Sequence, residues 1–550
     1  MTAPRTISPP AARSEVAGSP TRGFRRHLGF WPLLGLSVGN IIGSGWLFAA
    51  MFGSSIAGPA AVISWLIVTA LVLMIGTIYA ELSAMHPESG GTVRYSAYSH
   101  GLYSAGIISF GAFLALVAGG GSEVTAVLTY LAHFWPMLLD SGTLMLTPFG
   151  TGLGIVLLIA FTGVALMGVR YVGRINLPWT ALKVAVPLLT LGVFAFAAFH
   201  PGNFNAPHLG GFAPYGAAGI FAAIPLSGMM YAFGGFRNAL DVGHEGSNPK
   251  RDLPLVLFAA IGLTAVIYIL LQIVWIGALP GHDLAKGWAN AILASPWATL
   301  AAGLNLTWMA VVLYADSVVS PAGVSFVGIN RSARIIFSMG DRTQFFPTFM
   351  SRLSRRGVPW VALWLTTGLS CLSMILLHSW QSMVAVLSVL IGIEYGIGAV
   401  AVTVLRGRGV TGRRFRGMAV IAPVAFIIAG LITYWSGWEY TRIGFPAIIV
   451  LGTLVYWWSH ARSRREAREF LGGVWLIPYL GVMMALSWLG SYGGGIALLH
   501  SPWDSIAAAI AALVFYAVGV RAGRWFTSDK SWRETVGSEL SGEALGTPEH

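Results

Sequence analysis

The chain has 550 residues, of which 55% are hydrophobic and only 10% charged, with a formal net charge of +12. With a mean hydropathy of +0.71, this composition excludes a string of soluble domains and describes a polytopic membrane protein. Nucleic-acid binding is excluded as well, because the basic residues fall between apolar runs and share no soluble surface.

Residues 1–28 are rich in Pro, Ser, Ala and Arg and lack the apolar core of a signal peptide, so they read as a disordered cytoplasmic tail. At about 20 apolar residues per crossing, about fourteen spans follow. They lie at 31–55, 58–83, 101–131, 150–169, 174–199, 215–241, 254–279, 303–329, 357–377, 381–405, 418–437, 441–459, 473–490 and 503–522. Of the 33 Lys and Arg residues, 29 fall on one side of this topology. Lys286 and Arg442 fall on the other, and Lys183 and Arg237 sit inside spans. Positive residues accumulate in cytoplasmic loops, so the expectation is a multi-pass cell-membrane protein with both termini cytoplasmic. The richest loops on that side are 330–356 and 406–416; the second also suits anionic lipid. Arg462 to Glu469 reads as an interfacial turn of helix, and 525–550 as a second cytoplasmic tail. The single cysteine, Cys371, lies in an apolar run and excludes a disulfide framework or a cysteine-based metal site.

Two spans carry glycine clusters at mid-depth. In the first, Gly39, Gly43 and Gly45 surround Ser44, and each glycine weakens helix by roughly 1 kcal/mol relative to alanine. A break there is expected to line a cavity and to leave N–H groups that suit a carboxylate. The alternative is a small-residue face for close helix packing. In the sixth span, Gly234-Gly235 within Tyr231-Ala-Phe-Gly-Gly-Phe-Arg-Asn238 is expected to interrupt the helix. Asn248-Pro249 and Pro254 end one helix and start another. Paired breaks point to an inverted repeat of five plus five helices around a midplane site.

Four stretches in order carry a family resemblance: Gly39-Asn-Ile-Ile-Gly-Ser-Gly45, Glu81-Leu-Ser-Ala-Met-His-Pro-Glu-Ser-Gly-Gly91, Asn248-Pro-Lys-Arg-Asp-Leu-Pro254, and the run from Asn330-Arg-Ser-Ala-Arg334 through Met339-Gly-Asp-Arg342 to Phe346-Pro347. Over roughly residues 30–405 the chain resembles the amino acid/polyamine/organocation (APC) transporter family. The resemblance implies an all-α, LeuT-like 5+5 inverted-repeat bundle with broken spans one and six. The core would occupy 29–405, with four additional spans in 406–524 before the tail. It implies that the amides of Ser44 and Gly45, beside Gly43, meet a substrate carboxylate, and that carbonyls near Ile41, Tyr231 and Gly234 meet its ammonium. Phe233 or Phe236 would close over the substrate, or else pack.

Ionisable groups inside a bilayer cost roughly 2.5–3.5 kcal/mol on insertion scales, so each is a functional candidate. Here they are Glu123, Lys183, Arg237, Asp316 and Glu394, with Asp241 and Glu245 near the end of span six. Proton-coupled members of the family place a lysine in span five, which makes Lys183 the expected proton carrier with Asp316 near it; the alternative is a static Lys183–Asp316 ion pair. Arg237 departs from the family's commoner acid after Gly-Phe and resembles its aspartate:proton symporter branch. Its planar fork matches a carboxylate in two parallel bonds; alternatively it pairs with Asp316 or Glu123 as a gate, with neutral cargo.

The expected function is proton-coupled symport of an amino acid, acidic in preference. The rivals are an exchanger, a neutral amino acid or amine permease, a channel, or an integral-membrane enzyme. No His-Glu-x-x-His or nucleophile elbow supports the last. The expected partners are the amino acid, protons and the bilayer, with no metal, cofactor or nucleic acid.

Overall fold

A computed structural model describes residues 29–85, 91–140, 142–167, 172–237, 249–341, 348–410, 415–460, 466–529 and 532. Among these residues the regular structure is helical, and the one β-bridge joins Leu139 to Leu146. Twelve helical stretches are long and apolar enough to cross a bilayer, and a thirteenth is added by the pair Gly216–Leu226 and Met229–Phe236, bent by 43°. One of the twelve, Gly45–Met85, has 41 residues. At 1.5 Å per residue that is about 60 Å, twice the thickness of a hydrocarbon core. It turns at the 3-10 segment Gly58–Ala60, where Gly58 takes φ +63°. Divided there, it supplies the second half of span one and all of span two, giving the fourteen crossings expected from the sequence.

Span one is Phe30–Ile41 followed by Gly45–Ala57, and span two is Ala61–Met85. The helix Gly91–His100 precedes span three, Leu102–Leu131; spans four and five are Pro148–Leu166 and Val172–Ala197. Span six joins Gly216–Leu226, Met229–Ala232 and the 3-10 turn Gly234–Arg237. Spans seven to eleven are Pro249–Ala278, Thr307–Asp341, Trp360–Leu377, Trp380–Gly407 and Met418–Trp435. Span twelve runs from Trp438–Pro446 through a π turn, Ala447–Leu451, to Gly452–His460. A surface helix, Glu466–Gly473, leads to span thirteen, Leu476–Leu489, and span fourteen is Trp503–Phe526.

Two boundaries differ from expectation. The segment 330–356 does not begin as a loop, because span eight continues as helix to Asp341. Hydropathy marks where the apolar run stops, but Arg, Ala, Ile and Met in Arg331–Met339 are adequate helix formers and carry the helix on. Span six bends at Ser227-Gly228, where Gly228 is left-handed, φ +81°, ψ +11°, and its α-helix then ends at Ala232 and passes into a 3-10 turn at Gly234-Gly235. A Cβ on Gly228 would lie 2.6 Å from the Trp380 ring. Gly235 serves a different purpose, since a Cβ there would overlap the carbonyl of Asn40 in span one. Gly235 lets two backbones touch.

Span ten is the buried axis, with every residue from Met383 to Val402 buried. Gly398 lets Tyr79 of span two approach, so that the Tyr79 hydroxyl reaches the Glu394 carbonyl at 3.1 Å. Spans eleven to fourteen fasten onto this body at one face. Glu469 accepts the Leu102 N–H at 2.6 Å, and the His100 Nε2 meets the Gly519 carbonyl at 2.9 Å. The indole of Trp532 donates to the Tyr98 carbonyl at 2.8 Å. His100, in the helix before span three, is fully buried, and desolvation pulls its imidazole down to about 4. In the basic run 406–416, Arg406 pairs at 2.8 Å with buried Glu81, which also accepts the Phe415 N–H.

Candidate functional site

The site begins with the break in span one. Ile42, Gly43 and Ser44 leave the helix between Ile41 and Gly45, with Ile42 extended at φ −81°, ψ +95°. The surrounding glycines are also contact points. A Cβ on Gly39 would overlap Thr180 of span five; one on Gly45 would lie 2.8 Å from the Ala232 Cβ of span six. A Cβ on Gly43 would lie 2.6 Å from a Glu123 carboxylate oxygen. Both readings of the glycine cluster, break and close-packing face, are therefore realised in one segment.

Backbone groups freed inside a membrane need partners, and here they come from distant spans. The Ser44 N–H donates to Glu123 Oε2 at 2.9 Å. The other oxygen of Glu123 accepts the hydroxyl of Tyr231. The Lys183 ammonium donates to the carbonyls of Gly39 and Ile42, at 3.0 and 3.1 Å. Tyr268 donates to the Ile41 carbonyl at 3.0 Å, and the Trp380 indole to the Ser44 hydroxyl at 2.8 Å. Spans three, five, seven and ten thus converge on four residues of span one, and span six is tied to them through Glu123.

Glu123 is 1% exposed, and Lys183 and Asp316 are each 2% exposed. Lys183 lies within electrostatic reach of both acids, but among the described residues it forms no direct ion pair with either, so the static Lys183–Asp316 pair is not what holds it. A cavity of about 70 Å³ opens beside Glu123, bounded by Gly43 and Gly45, Tyr231 and Gly234, and Val324 and Arg331. At roughly 30 Å³ per water in the liquid this is room for about two. From Glu123 its lining continues to Ala115 and Leu116 of span three and to Gly328 and Arg331 of span eight. On the opposite side an aromatic stack closes it, with Trp380 at 4.9 Å from Phe48 and 5.7 Å from Phe52, and with Tyr231 edge-on to Trp380 at 6.2 Å.

Of the expected site residues, Ile41, Gly43, Ser44, Gly45, Tyr231, Gly234, Lys183 and Asp316 are brought into one region. Phe233 and Phe236 are not on the cavity. Both are fully buried, Phe233 against Trp65 and Tyr268 and Phe236 against Tyr395. Arg237 ends the 3-10 turn of span six, but its side chain, and all of Asp241 and Glu245, lie outside the described residues. Glu394 is buried in span ten and does not line the cavity. Sequence reasoning missed Trp380 as the cover of the site and Arg331 as part of its wall. Arg331 follows Val324 by seven residues, two helical turns on one face, a spacing that was readable had span eight been continued. Among the described residues no group of three His, Cys, Asp or Glu side chains could hold a metal ion.

A profile described as amino acid permease matches residues 28–458. The chain is 34% identical over 533 residues to the glutamate/serine transporter AimA of Bacillus subtilis (strain 168), covering 94% of this chain and 98% of that one. It is 32% identical over 501 residues to the aspartate-proton symporter of the same organism, covering 90% and 96%. A crystal structure of a mutant manganese transporter from Eremococcus coleocola superposes with a TM-score of 0.51 at 13% identity, covering 90% of this chain and 96% of that one. At that identity the likeness speaks for the fold alone, a LeuT-like bundle with broken spans one and six.

Proposed function

Because this chain belongs to the amino acid permease family, we propose that it is a proton-coupled symporter of an amino acid, with aspartate or glutamate as the preferred cargo. The observation that carries the reading is the Ser44 amide at the break, which already holds a carboxylate, that of Glu123. An α-carboxylate in the same place would gain the same N–H and the favourable end of the helix Gly45–Ala57. Aspartate, glutamate and serine are named for the two bacterial relatives, which supports an acidic substrate and leaves a small neutral one as the second reading. A side-chain carboxylate would find a guanidinium from Arg331 on the cavity wall or from Arg237 at the end of span six.

The excess of Lys and Arg on one side supports cytoplasmic termini, and with that orientation the cavity faces the cytoplasm and the aromatic stack closes the outside. Residues 29–405 form the transporting core in this proposal, and 406–524 brace it. Lys183 is the coupling residue, with Asp316 as its acidic neighbour. Its ammonium bridges two carbonyls of span one, so losing the proton removes a link between spans one and five. Purified protein in liposomes, given labelled aspartate, should accumulate it when the outside is acidic and stop when the gradient is collapsed. Unlabelled glutamate should compete. Displacement of the label by leucine or alanine but not by glutamate would overturn the acidic-substrate reading, and accumulation indifferent to the gradient would overturn proton coupling.

A further inference from the structure

The carboxylate seated on the Ser44 amide belongs to the protein, and the consequence is a conflict. Glu123 Oε2 takes the N–H at 2.9 Å, its other oxygen takes the Tyr231 hydroxyl, and the carboxyl group lies against the space beside Gly43 that a Cβ would need. One backbone N–H cannot serve two carboxylates, and two such charges at one helix end repel strongly in a low-dielectric site. We propose that Glu123 is a built-in stand-in for the substrate's carboxylate: while ionised it occupies the Ser44 amide, and it must take up one proton and yield that amide before substrate binds.

This deepens the transport reading above and rests on it. The step is a proton transfer from a hydronium ion of the solvent on the open side to a Glu123 carboxylate oxygen, leaving water. The neutral acid is a weaker acceptor than the anion, so the Ser44 N–H passes to the incoming carboxylate. The cavity beside Glu123 gives the displaced side chain somewhere to go. Proton and substrate then load together and leave together, which is symport, and linkage requires that each raise the affinity of the other by the same factor. The charged and titratable groups around Glu123 are Tyr231 from span six, Lys183 from span five and Tyr268 from span seven. Arg331 stands on the same cavity, and Asp316 lies near Lys183. Lys183 is bonded to carbonyls of the break, not to the amide, and its coupling role is the link it makes between spans one and five.

The test is aspartate, glutamate and serine binding to the purified full chain in nanodiscs, followed by calorimetry in two buffers of different ionisation enthalpy across a pH series. Wild type should take up about one proton per substrate bound, with the apparent Kd rising about tenfold per pH unit on the alkaline side. Glu123→Gln keeps the shape without the charge. It should bind with less than twofold change over the same range and without proton uptake. A Glu123→Gln protein, shown to be folded, that still takes up a proton overturns the proposal. So does one that loses binding at every pH, which would make Glu123 the partner of the substrate's ammonium. Infrared difference spectra of wild type against Glu123→Gln read the carboxyl group directly: substrate added at fixed pH should convert its carboxylate band to a protonated one. If none of the three amino acids binds wild type, the substrate reading fails; if one binds and the Glu123 band does not move, the stand-in alone fails.

Discussion

Two carboxylates in this molecule do the same local chemistry in opposite settings. Glu123 receives the N–H of Ser44 just before the helix Gly45–Ala57, and Glu469 receives the N–H of Leu102 at the start of Leu102–Leu131. Both satisfy a donor that a helix start leaves unpaired. Glu469 is wedged: a Cβ on Gly101 would overlap its oxygen, and one on Gly473 would lie 2.6 Å from the Ser104 nitrogen. Glu123 has a cavity beside it and a lysine within electrostatic reach. A capped helix end packed against neighbouring backbone is a brace; the same end beside a cavity is a site where one anion can be exchanged for another.

That contrast is broken most severely by removing what seals the exchangeable end. Trp380→Ala deletes a fully packed indole that covers Ser44 and stacks on two phenylalanines, at a cost of about 3–5 kcal/mol. Thermal unfolding should fall accordingly, and the cavity should become accessible from the opposite membrane face, readable as substrate leak from liposomes. The brace has an acid response of its own. His100 is held neutral when folded, at about 4 rather than 6.5, so the unfolded chain binds a proton first as pH falls. Stability present at pH 7 should decline from about pH 6.5 toward 4, by up to roughly 3 kcal/mol. His100→Gln should flatten that decline.

Glu469→Ala removes the cap without touching the cavity and should lower stability by about 1–2 kcal/mol, leaving the pH dependence of substrate binding unchanged. A shift in that pH dependence would erase the distinction between brace and site. Tyr231→Phe is the smallest change of shape, losing the hydroxyl that donates to Glu123 and accepts from Ser122, at a cost of about 1–2 kcal/mol. It should move the pH midpoint of substrate binding, which Glu469→Ala leaves in place; calorimetric titrations at several pH values measure it.

The fold was largely legible, because fourteen apolar runs and their charged connections follow from hydropathy and charge alone. The break in span one was legible too, since three glycines around Ser44 cannot be comfortable helix. The bend in span six was not. A lone Gly228 between Ser227 and Met229 is less conspicuous than Gly234-Gly235, and only the three-dimensional approach of Trp380 and Asn40 tells which glycine bends and which one touches. Glu123 was marked as costly in a membrane, but its partners lie 79 and 108 residues away, a distance that no local pattern encodes. Arg331 was hidden by its charge, which read as loop where the helix continues.

The central claim is that the amide at the break in span one receives the substrate's carboxylate. A structure of the full chain with bound aspartate, determined at acidic pH, tests it most directly. The account predicts the α-carboxylate within hydrogen-bond distance of the Ser44 nitrogen, with Glu123 swung off it into the cavity. Aspartate bound elsewhere, with Glu123 still seated on Ser44, would contradict it.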